Sequence, residues 1–161
     1  MSLNPKEKGL SAVGISIAAG CRPCAEHHLG KAAELGATPD EIRQTLADAL
    51  GVKRNAADLI DAQVLTHLGD TPPAVSGCGG SDNRATELVK IGAAYSVNCT
   101  ENLDKHITAG RALGITDEEI GEIIKMSVFI KGKAVSHVDK LVDTEVSEAA
   151  PVLKAAGGSC C

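Results

Sequence analysis

Apolar residues in this chain recur at helical spacing, and the recurrence appears twice. Ile42, Leu46, Ala49 and Leu50 form one stripe, and Ile120, Ile123, Ile124 and Val128 form another. Each stripe would lay one helix face against its neighbours. Sliding the sequence along itself by 78 residues places Leu10 on Leu88, Gly14 on Gly92, Cys21 on Cys99 and His28 on His106. Farther along, Leu35, Gly36, Thr38, Glu41 and Ile42 fall on Leu113, Gly114, Thr116, Glu119 and Ile120 without a gap. The register predicts an internal duplication and a pseudo-twofold fold.

Within each half the pattern predicts a first helix, roughly Pro5 to Ala19 and Asn83 to Val97. A second begins at the cysteine and stops at the glycine of Leu-Gly, with Gly36 or Gly114 suited to a left-handed terminal position. Thr38 with Glu41 and Thr116 with Glu119 read as capping boxes that open the third helices, and Pro39 takes the favoured first helical position. A fourth segment follows near Asn55 to Leu68 and Lys133 to Val146. Gly9 and Gly14 weaken the case for the first helix. The expected organisation is a first repeat over 1–69, a Pro/Gly-rich linker over 70–82, a second repeat over 83–147 and a tail over 148–161.

Composition agrees with an all-α fold. Among 161 residues, 43% are hydrophobic but only 1% aromatic, so Ala, Leu, Ile and Val must supply the core. Strong helix formers with small side chains favour close helix packing. Lys and Arg total 16 against 21 Asp and Glu, a formal charge of -5, and the positive charges do not cluster. Nucleic-acid binding therefore lacks its electrostatic footprint. No apolar run approaches the roughly 18 residues of a membrane span, and the opening MSLNPKEKGL has no signal-like segment. A cytoplasmic protein with no nucleic-acid or membrane partner is expected.

Six cysteines, at positions 21, 24, 78, 99, 160 and 161, carry the candidate chemistry. With Cys21 at a helix start, Cys24 and His28 follow on the same face. The helix dipole, unpaired backbone N–H groups and Arg22 favour a thiolate there. A second thiol within reach can resolve the resulting mixed disulfide or sulfenic acid. Two other readings of the same residues stand beside this one. Buried structural cysteines can pack against a core histidine, and zinc can bind, although C-x-x-C plus one His supplies three ligands where a structural site takes four. His27 is expected to face solvent, and His67 and His137 have no motif around them.

The stretch from Ala18 through Cys21-Arg-Pro-Cys24-Ala-Glu-His-His28 to Glu34-Leu-Gly-Ala-Thr-Pro-Asp-Glu-Ile42 resembles the carboxymuconolactone decarboxylase superfamily, in its alkyl hydroperoxidase D-like branch. The resemblance covers roughly Pro5 to Leu68 and Asn83 to Val146. It implies an all-helical fold, assembly as a homo-oligomer of three or more copies, and thiol-dependent peroxidase or disulfide reductase activity. Catalysis would fall to Cys21, Cys24 and His28, with no cofactor beyond the redox pair and no metal. The resemblance gives Cys24 the peroxide-attacking role, whereas the helix dipole favours Cys21. The substrate would be a peroxide or disulfide, and the reductant an external dithiol of lipoyl or thioredoxin-like type.

Two departures stand out. The branch's proton-relay glutamate falls on Gly9, so Glu7, Glu26 or Glu87 would have to substitute. In the second half, Glu87, Cys99 and His106 remain, but Asn102 stands where the second thiol belongs. Cys99 and His106 are then either the relics of a former site or an altered one. Cys78, in a loop expected to be mobile, and the terminal Cys160 and Cys161 are candidate auxiliary thiols. They could pass electrons to the inner pair or, in a different class of function, join it in binding a soft metal or metalloid such as arsenite, mercuric ion or Cu(I). A lactone decarboxylase is a third reading, against which the intact Cys21, Cys24 and His28 argue.

Overall fold

The computed structural model describes residues 3–142. Six helices follow one another: α1 (Pro5–Ala18), α2 (Arg22–Glu34), α3 (Pro39–Leu68), α4 (Arg84–Ser96), α5 (Thr100–Ala112) and α6 (Asp117–Val142), and there is no strand among the described residues. The protein is all-α. Helices α1 to α3 reappear as α4 to α6, and α2 and α5 begin and end at equivalent positions of the 78-residue register.

The local chemistry is duplicated as well. Thr38 and Glu41 close one capping box, through N–H bonds of 2.7 and 3.2 Å, and Thr116 and Glu119 close its twin at 2.9 and 3.3 Å. Gly36 and Gly114 both take left-handed conformations, with φ of 86° and 80°, and end α2 and α5. A third capping box, Asn4 with Glu7, opens α1.

The third and fourth segments expected in each half are single helices. Between Leu50 and Asn55 the chain has Gly51 but no proline, and from Val128 to Lys133 it has Gly132 but no proline. A lone glycine costs helix about 1 kcal/mol without breaking it. Helix α3 therefore runs for 30 residues and α6 for 26.

At the centre, α1 crosses α4 through reciprocal glycines. A Cβ on Gly14 would lie 2.6 Å from Val89 Cγ1, and one on Gly92 would lie 2.6 Å from Ile15 Cγ1. Of the glycines that weakened the first helix on paper, Gly14 seats α4 and Gly9 seats α2. Leu88, Ile91, Ile115, Ile120 and Ile123 pack between α4, α6 and the turn before α6. Leu10, Val13, Ala32, Ala37 and Val89 pack between α1, α2 and α4. A further cluster joins Ala12, Ile15 and Ile130 to Cys21 and Cys24, so α6 covers the start of α2.

Candidate active site

Each cysteine-bearing turn is set by the residue before it. Gly20 has φ 73° and Asn98 has φ 58°, both left-handed, and they deliver Cys21 and Cys99 as N-caps of α2 and α5 with nearly equal backbone angles. Asn is among the few side chains that tolerate this conformation. Lys131 Nζ supports Asn98 through its side-chain oxygen at 2.5 Å and the Tyr95 carbonyl at 3.2 Å.

Cys21 and Cys24 are joined as a disulfide with their Cα atoms 5.2 Å apart. The Cys24 backbone N–H donates to Cys21 Sγ at 3.2 Å, the bond that an N-cap side chain ordinarily accepts. Both residues are 7% exposed, yet two open cavities flank them. One, of about 270 Å³, is lined by Cys24, His27, His28, Phe129, Lys133 and His137 among others. The second, of about 600 Å³, is lined by Cys21, Arg22, Ala134, His137, Val138 and Leu141 among others. The bonded pair thus borders both cavities, Cys24 on the first and Cys21 on the second.

His28 lies in the first cavity with Cys24 and is partly buried. Burial pushes it below the ordinary imidazole value of 6.5, and His27, whose ring meets it edge-on at 5.0 Å, pushes the same way. At neutral pH it is an unprotonated base. His27 is exposed, as is His67 near the end of α3.

His137, which the sequence left without a role, stands beside the pair. Its ring and the two sulfurs offer ligand atoms that all lie within 4.8 Å of one another. Ile130, Ala134 and His137 share a face of α6, at spacings of four and three residues, and Ile130 packs on both cysteines. Splitting α6 near Lys133 hides that continuity, which is the signal that could have found this histidine.

None of the glutamates weighed as a substitute relay accompanies His28. Glu26 is exposed and is absent from the lining of both cavities. Glu7 caps α1 and pairs with Arg84 at 3.0 Å. Glu87 is buried in the second half, where its Oε2 lies 2.8 Å from His106 Nδ1 and its Oε1 accepts the Ser81 N–H at 2.6 Å. At Gly9, the register position of Glu87, even a Cβ would come within 3.1 Å of the Ala32 backbone and 3.2 Å of Leu35. Close packing of α1 on α2 takes the space a carboxylate would need.

In the second half, Cys99 is buried at the N-cap of α5, and its thiol lies 3.7 Å from Glu101 Oε2. Asn102 is buried and reaches the Val52 carbonyl at 3.5 Å, tying α5 to α3. Cys78 departs most from expectation. Far from lying mobile in its loop, it is buried, with Sγ 3.1 Å from His106 Nε2. Lys105 Nζ donates to the Cys78 carbonyl, Lys90 Nζ to the Gly79 carbonyl at 2.8 Å, and Asn55 to the Ser76 carbonyl at 2.5 Å. Linker carbonyls with no helix or strand to join are satisfied by side chains from three helices. Cys160 and Cys161 lie outside the described residues.

No helix among the described residues is long and apolar enough to cross a membrane. Comparison with curated proteins and with solved structures gives no match. The family model for the carboxymuconolactone decarboxylase family matches residues 1–57 and again 74–143, one stretch in each half. A dithiol at a helix start, a neighbouring imidazole and a twice-matched helical repeat agree on one assignment: the chain belongs to the carboxymuconolactone decarboxylase family.

Proposed function

We propose that the protein is a thiol-dependent oxidoreductase that reduces a hydroperoxide or a disulfide through a Cys21/Cys24 dithiol–disulfide cycle. The observation that carries this reading is the pair itself, joined at the start of α2 between two open cavities, one of which holds His28. Cys24 shares that cavity, so Cys24 attacks. His28 takes the thiol proton, sulfur bonds to the outer peroxide oxygen as the O–O bond breaks, and the departing alkoxide collects the proton to leave as alcohol. Cys21 then attacks the Cys24 sulfenic acid, forming the disulfide and releasing water.

An external dithiol of lipoyl or thioredoxin-like type restores the pair. Its thiolate attacks Cys24, Cys21 leaves as a thiolate accepting the Cys24 N–H, and the dithiol's second thiol then attacks the mixed disulfide, freeing Cys24 and leaving as the oxidised disulfide. The alkyl hydroperoxidase-like character, as against the decarboxylase chemistry of the family's namesake, rests on these two thiols and their imidazole.

The test is turnover of cumene hydroperoxide with dihydrolipoamide as reductant, beside reduction of a model disulfide. Cys24→Ser should abolish both activities, and Cys21→Ser should leave a trappable sulfenic acid on Cys24. Unchanged turnover in both variants removes the proposal.

A second reading has its own observation, the grouping of Cys21, Cys24 and His137. Once reduced, two thiolates and an imidazole suit a thiophilic ion such as arsenite, mercuric ion or Cu(I), to which Cys160 and Cys161 could add sulfur. Metal analysis of the reduced protein after dialysis distinguishes the two: stoichiometric metal lost in His137→Ala, with no peroxide turnover, favours binding over catalysis.

Self-association into three or more copies belongs to the same proposal. Ile60, Val64 and Leu68 on α3, and Val135 and Val138 on α6, are more than half exposed, apolar side chains that a partner copy would cover. Sedimentation showing only monomer removes that part.

A further inference from the structure

We infer that Cys78, His106 and Glu87 form a second thiol site, in which a linker cysteine replaces the thiol that the second repeat lost at Asn102, and that this site reacts with small hydroperoxides. The three side chains stand in line, carboxylate to imidazole at 2.8 Å and imidazole to sulfur at 3.1 Å. Nucleophile, base and orienting acid follow in the order that nucleophilic catalysis requires.

Two independent observations place the site. His106 occupies the register of His28, and Asn102 that of Cys24, so a thiol beside His106 restores the pairing that the first repeat proposes between Cys24 and His28. Cys78 also borders an open cavity of about 370 Å³ with Asp48, Asn55, Ser76, Gly79 and Lys90. That lining includes the charged Asp48, Arg54, Asp58 and Lys90, which suits hydrogen peroxide or a short polar hydroperoxide better than a lipid one.

Proton placement follows from the partners. Glu87 takes the Ser81 N–H on one oxygen and faces His106 Nδ1 with the other, so Nδ1 donates and Nε2 is left to accept from the Cys78 thiol. Burial pushes Cys78 above the ordinary thiol value and His106 below the ordinary imidazole value, which keeps both neutral at rest. The facing charges are Glu87, Asp48, Lys90 and Lys105.

When peroxide enters, Nε2 accepts the thiol proton and sulfur bonds to one peroxide oxygen as the O–O bond breaks. The leaving oxygen takes the proton from the imidazolium. Sulfur gives up two electrons, and the products are a Cys78 sulfenic acid and an alcohol or water. A low-molecular-weight thiol attacks the sulfenic acid, releasing water and leaving a mixed disulfide, and a second such thiol frees Cys78. An acyl-transfer role is less favoured, because it calls for oxyanion donors in addition to the base.

The test uses the full chain as a Cys21→Ser/Cys24→Ser variant, treated with hydrogen peroxide and dimedone and read peptide by peptide in a mass spectrometer. Cys99 is the internal control, since it and Cys78 are each 7% exposed. Cys78 should label at least about tenfold faster than Cys99, a ratio in keeping with the weaker end of base assistance. Glu87→Gln, which keeps the side-chain volume, should reduce the ratio. Equal labelling of the two cysteines, or no label on Cys78, makes the Cys78–His106 contact a packing hydrogen bond and overturns the proposal. Because the comparison is made within one molecule, it stands even if Glu87→Gln fails to fold.

Discussion

His28 and His106 occupy one register position with opposite surroundings. His28 is partly exposed in a cavity it shares with Cys24 and has no carboxylate partner among its described hydrogen bonds, whereas His106 is fully buried between Glu87 and Cys78. A base without an orienting acid depends on its own protonation state. Because burial and His27 lower its pKa, His28 is unprotonated above about 6.5 and gains a proton as pH falls below that value. The peroxide kcat/KM should therefore be level near neutrality and fall on the acid side, below 6.5. His28→Asn should lower it about 100-fold, the smaller end of general-base effects, and flatten the acid limb. A variant that keeps the limb assigns it to another group.

Element by element, the crossing of α1 and α4 depends on two missing side chains. Gly92→Ala would press a methyl into Ile15 at 2.6 Å, with Ile123 at 3.3 Å behind it. Overpacking of this kind costs about 1 to 3 kcal/mol, readable as a lower urea midpoint. Gly30, inside α2 with nothing within 4 Å of its would-be Cβ, gives the opposite sign. Gly30→Ala should stabilise by about 0.5 to 1 kcal/mol, through helix propensity alone. If both variants lose stability equally, close approach is not what Gly92 provides.

The first two helices of each half, the starts of α3 and α6, both of their capping boxes and the two glycine stops follow from spacing, because caps and stops are local chemistry confined to a few neighbouring residues; the separate fourth segments do not. The thiol pair with His28 is legible for the same reason, being one face of one helix. His137 and Cys78 are not. Each reaches its partners through a tertiary crossing, α6 over α2 and the linker over α5, and periodicity reports a helix face without saying which neighbour it meets. A linker rich in Gly and Pro also reads as solvent-exposed until its carbonyls are seen capped by Lys90, Lys105 and Asn55.

For the whole molecule, charge at the helix starts ties helices together within each half and, through Arg84 and Glu7, across them. Arg84 bonds Glu7 of α1 at 3.0 Å and Glu119 of α6 at 2.6 Å, and Lys6 bonds Glu41 of α3 at 2.6 Å. Glu119 and Glu41 are held below the ordinary carboxylate value of 4.5, Glu119 chiefly by the Thr116 N–H and Glu41 chiefly by Lys6. A group whose pKa is lower when folded stabilises above its unfolded value and loses that contribution as pH falls. His28 and His106 obey the same sign from 6.5 downward, and the two carboxylates from 4.5 downward. The urea midpoint should therefore be flat from pH 7 to about 9, the ordinary thiol value above which the raised Cys78 acts with the opposite sign, and decline in two stages on acidification. A midpoint that rises between pH 7 and 5 contradicts this account.

The sulfurs of the first repeat lie under a histidine from the last helix of the second, and the imidazole of the second repeat meets a sulfur carried by the segment between them. Cut free at the linker, the first half would keep Cys21, Cys24 and His28 but lose His137, and the second would lose the sulfur that faces His106. A cut at the repeat boundary would therefore part sulfur from imidazole at both places, which makes the linker more than a tether.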